Sequence, residues 1–148
     1  MDMTENEKWA YLGGIIDGEG NIRIDLAKNP RRFMQYTGRL TVANTDIRMI
    51  NWLKDNFQGY IWTRKRDDDF ARSRGWKDCY HWIKILNSPS REFIEKVMPF
   101  LITKKDRMQI LLEFLDTKST AGIPITEETR KKRLELIDRM NHLNKRGI

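Results

Sequence analysis

Two carboxylates, Asp17 and Glu19, sit at alternate positions between glycines in the segment Leu12-Gly13-Gly14-Ile15-Ile16-Asp17-Gly18-Glu19-Gly20. The residues before them are apolar or small, as in a helix built to be buried. Carboxylates are rarely left in such a setting without compensation, and a divalent cation is the leading candidate. Composition narrows which cation. The single cysteine, Cys79, excludes an internal disulfide and a cysteine-based zinc cluster, and two histidines, His81 and His142, are too few for a histidine-rich site. Any metal is therefore bound by oxygen, which suits magnesium, manganese or calcium.

The elements that must position this segment are written in its surroundings. Thr4-Glu5-Asn6-Glu7 is a capping box. It starts a helix running to about Asp17, with Trp9, Leu12 and Ile16 as one apolar stripe and Gly14 and Gly18 on another side. Glycine inside a helix costs about 1 kcal/mol relative to alanine. Gly13 and Gly14 together therefore need a reason, and close approach of another backbone is the physical one. Asn21–Ala27 and Tyr36–Asn44 alternate as half-buried strands, with Ile22, Ile24, Leu26, Leu40 and Val42 inward and Arg23, Asp25, Thr37, Arg39 and Thr41 outward. Lys28–Arg32 is the loop between them. Asn44-Thr45-Asp46 caps a helix through about Phe57, carrying Ile47, Ile50, Leu53 and Phe57, and Gly59 stops it.

Tyr60–Lys65 and Cys79–Leu86 are the third and fourth strands, joined by a long polar hairpin loop over Lys65–Asp78. On the fourth strand, Ile83 and Ile85 inward would turn Tyr80, Trp82 and Lys84 outward. Ser88-Pro89 starts a short helix ending at Met98-Pro99, and Thr103 and Asp106 cap another with Met108, Leu111, Leu112 and Leu115. Ser119–Pro124 is a linker, and Thr126 caps a final helix with Leu134, Ile137 and Met140. The expected fold class is α+β: one αββαββ unit with an antiparallel sheet and additional C-terminal helices. It forms a single domain over residues 1–148, with a core at about 5–116 and a helical extension at about 126–146.

With 28 Lys and Arg against 21 Asp and Glu, the net charge is +7. That balance suggests an acidic partner, nucleic acid first and an anionic membrane surface second. At 39% hydrophobic residues the chain can build a core and is not of the disordered class. Its apolar runs are too short to span a bilayer. Met1–Lys8 is polar and acidic rather than basic-then-apolar, so no signal peptide is expected.

At this point the chain resembles the LAGLIDADG homing endonucleases, in the class with one motif per chain. Leu12, Gly14, Ile16, Asp17 and Gly20 are identical to the motif, and Gly13, Ile15, Gly18 and Glu19 are conservative departures. The order of elements matches over roughly residues 5–116. Leu40-Thr41-Val42-Ala43-Asn44-Thr45-Asp46, Gly59-Tyr60, and Pro99-Phe100-Leu101 followed by Thr103-Lys104-Lys105 also look like the family.

The resemblance implies a homodimer whose motif helices pack through Gly14 and Gly18, with Asp17 bracing the helix end near the partner. It implies that Glu19 is the metal-binding acid and the Gly18 carbonyl a neighbouring ligand. Asp46 would orient a water. Lys104 would polarise the attacking water or neutralise phosphate charge, with Lys105 as the neighbouring alternative. Lys104 also stands in the first turn of a helix, where a cation opposes the dipole, and such a broken local rule often marks a functional site. The family's second basic pocket position falls at Ile50, with Arg48 and Asn51 nearby. DNA would be read by Arg23, Asp25, Arg39, Thr41, Trp62, Arg64 and Arg66 on the outer sheet face, joined on the fourth strand by Lys84 or, in a family-style register, His81. Arg31, Arg32, Arg72, Arg74 and Lys77 would contact phosphates.

The implied activity is magnesium-dependent cleavage of both strands at a long pseudo-palindromic DNA site, leaving short 3′ overhangs, in the service of intron homing. Mn2+ would substitute, and Ca2+ would bind without supporting cleavage. The alternative on the same scaffold is a non-cleaving RNA maturase or DNA-binding regulator. Either would be intracellular, in the cytoplasm or an organelle holding the target DNA, and not secreted.

Overall fold

The computed structural model describes residues 2–28, 34–117 and 124–145. Helix α1 (Glu5–Glu19) leads into strands β1 (Gly20–Lys28) and β2 (Met34–Asn44), then α2 (Ile47–Phe57) and β3 (Tyr60–Arg64). A short helix α3 (Asp69–Ser73), strand β4 (Cys79–Ile85) and helices α4 (Arg91–Val97), α5 (Lys105–Asp116) and α6 (Glu127–Asn144) follow. The four strands form one antiparallel sheet in the order β1-β2-β4-β3. The α+β reading and the αββαββ order hold.

The helices cover one face of the sheet. Leu12 and Ile16 of α1, Ile50 and Leu53 of α2, Ile94 and Val97 of α4, and Met108 and Leu111 of α5 are fully buried against Ile22, Leu40, Val42 and Trp82. Thr4 caps α1 by accepting from the Glu7 N–H while Glu7 reaches back to the Thr4 N–H, as the capping box requires. These contacts hold the Glu7 carboxyl below its usual range. Asp46 caps α2 and Thr126 caps α6. The exit from α2 is tight. Gln58 and Gly59 both have positive φ, 63° and 86°. A Cβ on Gly59 would lie 2.6 Å from the Ile83 carbonyl oxygen, so glycine is required there on two counts.

Several expectations change. The Lys65–Asp78 segment is not an open loop, because Asp68 caps α3 through the Ala71 N–H. Leu26 is exposed near the end of β1, beyond the reach of the helices. The fourth strand buries Trp82, which puts Tyr80 and Lys84 on the helix side and His81, Ile83 and Ile85 on the outer face. On α6 the buried residues are Arg133, Leu136 and Met140, with Leu134 and Ile137 only half-buried. The Arg133 guanidinium lies over the Tyr36 and Phe114 rings and donates to Thr117. Arg31, Arg32 and most of the Ser119–Pro124 linker lie outside the described residues. No described helix is long and apolar enough to cross a membrane.

Candidate active site

Helix α1 runs two residues past the expected end, so Glu19 is its last residue and Gly20 opens β1. The Glu19 side chain is exposed at this junction and, among the described residues, is held by Asn44, whose Nδ2 donates to Glu19 Oε2 at 3.0 Å. Asn44 is the last residue of β2, and its Oδ1 accepts the Asp46 N–H at 2.8 Å. The sequence places Asn44 at a strand end, in a helix cap and in a family-like segment, with nothing to tie it to Glu19. The available signal was a polar side chain at an inward position of a strand end, beside the motif's second acid.

Asp46 lies one step further along this chain of contacts. Its carboxylate accepts from the Arg48 backbone N–H at 2.9 Å and from Arg48 Nη2 at 2.7 Å. The Arg48 guanidinium beside it lowers its pKa to about 2, with a smaller contribution from the charge of Lys77. Arg48, noted only as a neighbour of the expected basic position, is thus the cation that partners Asp46. Ile50, at that position, is buried in the core.

Asp17 turns into its own chain. Its carboxylate accepts the backbone N–H groups of Ile102, Thr103 and Lys104 at 2.7, 3.2 and 3.0 Å. These groups open α5, whose N-cap is Lys104 with no side-chain cap of its own. Thr103 therefore does not cap α5; Asp17 supplies that negative charge from another helix. Lys104 reverses its expected electrostatics as well. Its Nζ donates to the carbonyl oxygens of Ile16 at 3.1 Å and Gly20 at 2.6 Å, at the C-terminal end of α1. A cation is favoured at that end of a helix. Burial lowers the Lys104 pKa, as does the nearby Arg107, while Asp17 raises it.

The motif glycines divide by face. A Cβ on Gly13 would lie 2.7 Å from both the Cβ and the carbonyl oxygen of Phe100, so the close approach it permits is within the chain. A Cβ on Gly14 or Gly18 would meet nothing within 4 Å. That open face has large apolar side chains in its surroundings: Tyr11 of α1 is exposed, and Ile102, whose N–H is held by Asp17, is 86% exposed.

On the outer sheet face, Arg23 and Arg39 flank Asp25, each with Nε 3.0 Å from a carboxylate oxygen. Thr41 lies beside Ile83, and Trp62, 52% exposed, packs on His81 with ring centroids 4.9 Å apart. Burial and the charge of Arg64 lower the His81 pKa. Arg64 is exposed on the same face. Arg66 lies beyond the end of β3, its guanidinium over the Trp76 ring. Lys84 is off this face: it donates to the Phe57 carbonyl at 2.7 Å and lies over the Phe93 ring, where burial lowers its pKa. The end of α2 is the physical reason, since its last carbonyls attract a cation.

Among the described residues no three His, Cys, Asp or Glu side chains gather into a metal-holding cluster. One chain presents at its helix end a single exposed carboxylate, Glu19, with the Gly18 backbone beside it. Carboxylate and carbonyl oxygens are the donor type that hard divalent cations take.

No protein-family model matches the chain. It is 25% identical over 137 residues to the DNA endonuclease I-CreI of Chlamydomonas reinhardtii, covering 90% of this chain and 77% of that protein. Its fold is similar to the homing endonuclease I-CvuI, solved with an I-CreI target in 2 mM Mg with the DNA not cleaved, at a TM-score of 0.67 and 18% identity over 95% of this chain and 85% of that one. It is also similar to the archaeal intron-encoded homing endonuclease I-Vdi141I complexed with DNA, at a TM-score of 0.73 and 16% identity over 98% and 89% of the two chains. The αββαββ architecture is therefore the fold of these homing endonucleases, and the chain is similar in sequence to I-CreI over 90% of its length.

Proposed function

We propose that the protein is a site-specific, double-strand DNA endonuclease that works as a homodimer with a divalent metal, magnesium by preference. The observation that carries this reading is the placement of Glu19. It stands exposed and oriented by Asn44 at the end of a helix whose Gly14 and Gly18 face is open. A second copy packed on that face would bring a second Glu19 to the same axis, and a closed two-fold pair is the commonest assembly. The two carboxylates with the Gly18 carbonyls would then complete an oxygen site for hard cations.

When bound there, a divalent ion supplies Lewis acidity toward the phosphate and a more acidic water. The chain's own residues do the rest. Asn44 holds the Glu19 carboxylate in place. Lys104, anchored on the carbonyls at either side of Gly18 and Glu19, stands to neutralise charge on the attacked phosphate. Asp46, kept ionised by Arg48, orients a water. Arg23, Arg39, Thr41, Trp62, Arg64 and His81 read base edges, since the major groove admits a β-ribbon. Cleavage at a long pseudo-palindromic site leaves short 3′ overhangs.

The test uses a duplex selected by the wild-type protein from a randomised pool in calcium. Glu19→Gln binds this duplex as the wild type does and fails to cut it in magnesium. A Glu19→Gln protein cutting at the wild-type rate overturns the assignment.

A further inference from the structure

The connection from β3 to β4 is a folded arm with an exposed aromatic and basic tip. Phe70 and Trp76 are 58% and 45% exposed and pack edge to face with centroids 5.4 Å apart. The Arg74 guanidinium lies 4.5 Å from the Phe70 ring centroid and 6.0 Å from that of Trp76, and the Arg66 guanidinium lies 5.2 Å from Trp76. The arm is held by its own backbone. Asp68 caps α3 at the Ala71 N–H, Asp78 accepts the Arg66 N–H at 2.7 Å, and the Trp76 N–H donates to the Ala71 carbonyl at 3.0 Å. Two of its acids are thereby spent on backbone groups, while its arginines remain on the surface. Ala71 is the buried residue of α3, so the large rings contribute their exposed area to something other than the core.

The strand register says where this arm stands. Gly20 is opposite Val42, Asn44 opposite Tyr80, and Arg64 opposite Cys79. The β3–β4 connection therefore leaves the sheet at the end that carries Glu19 and Asn44. The connection from Lys28 to Met34 leaves from the other end. Lys77, on the arm, is near enough for its charge to act on Asp46.

We propose that this arm is a clamp for the centre of the DNA target, with Phe70 and Trp76 packing on sugars and bases beside the scissile phosphates and Arg66 and Arg74 on the backbone. The proposal rests on the endonuclease reading, which puts the Glu19 end at the middle of the bound duplex. Exposed rings braced by guanidinium groups suit a distorted or unstacked base step better than a regular groove. The pre-formed packing of rings and guanidinium groups lowers the entropy lost on binding.

Hydroxyl-radical footprinting and site selection in calcium test this on the duplex chosen by the wild-type protein. Phe70→Ala/Trp76→Ala and, separately, Arg74→Gln are compared with the wild type after circular dichroism and melting establish that each folds. Both variants lose protection and base preference at the central positions and keep them at the outer ones, with affinity reduced about thirtyfold or more for the double variant. Unchanged central protection and preference in both variants, or loss confined to the outer positions, overturns the clamp while leaving the endonuclease reading intact. A wild-type protein that selects no duplex overturns both.

Discussion

The Asp17 carboxylate accepts the backbone N–H of Lys104 at 3.0 Å, while the Lys104 ammonium reaches the Ile16 and Gly20 carbonyls on either side of the motif's last residues. Each side chain thus serves the terminus of the other's helix, an anion at the start of α5 and a cation at the end of α1. The pair fixes the end of α1 that carries Glu19. Removing the Asp17 cap leaves three N–H groups without that acceptor. Asp17→Ala is expected to cost about 0.5–2 kcal/mol, the range for a lost helix cap, and Asp17→Asn less, because one acceptor oxygen remains. Urea unfolding of the two variants checks this. Equal stability of Asp17→Ala and wild type would refute the brace.

Gly13 and Gly14 are neighbours with opposite expected outcomes. Gly13→Ala forces a Cβ to within 2.7 Å of Phe100, an overpacking that typically costs about 1–3 kcal/mol, so its melting temperature falls. Gly14→Leu meets open space in its own chain. It keeps the fold by circular dichroism, sediments as a monomer and loses cleavage. A dimeric Gly14→Leu protein would remove the open glycine face from the interface.

Asn44 positions Glu19 without itself being a ligand in the proposed site. Asn44→Ala frees the Glu19 carboxylate and the Asp46 N–H together. The expected result is a fall of about 10–100-fold in cleavage rate or metal affinity, as for other groups that orient metal ligands. Calcium titration calorimetry of the DNA complex separates the two. Wild-type values for both would show that Glu19 needs no such support.

Asp46 and Arg48 make a pH prediction whose sign is definite. The Asp46 carboxyl titrates at about 2 in the folded chain rather than at its ordinary 3.8. The folded state therefore binds fewer protons across that interval. The pairing's contribution to stability is present above 3.8 and lost as pH falls through about 2. Carbon-detected carboxyl titration of the wild type and Arg48→Ala measures it directly. Removing the guanidinium raises the Asp46 value toward 3.8, and an unmoved value would point to another cause.

The capping box at Thr4, the caps at Asp46 and Thr126, and the alternation of β1 and β2 are legible in the sequence because each is decided by residues two to four apart. The LAGLIDADG-like segment Leu12–Gly20 and its two acids are legible for the same reason. The face of β4 is not, since Tyr80 and Trp82 at one parity are as apolar as Ile83 and Ile85 at the other. Only the packing of Trp82 under α2 and the pull of the α2 carbonyls on Lys84 choose between them. Helix α3 left a local trace in Asp68 and in the aromatics Phe70 and Trp76, hidden within a polar run.

By itself, then, the sequence determined the main helices and strands apart from α3, their order, and the two carboxylates worth watching. The tertiary structure decided what each does. Asp17 and Lys104 each serve the terminus of the other's helix across 87 residues of chain, Gly13 closes on Phe100 while Gly14 stays open, and Asn44 reaches Glu19 over 25 residues. Those assignments depend on which backbone groups are brought within about 3 Å, the reach of a hydrogen bond. Chain spacing alone cannot supply that, because distant segments meet only once the core has folded.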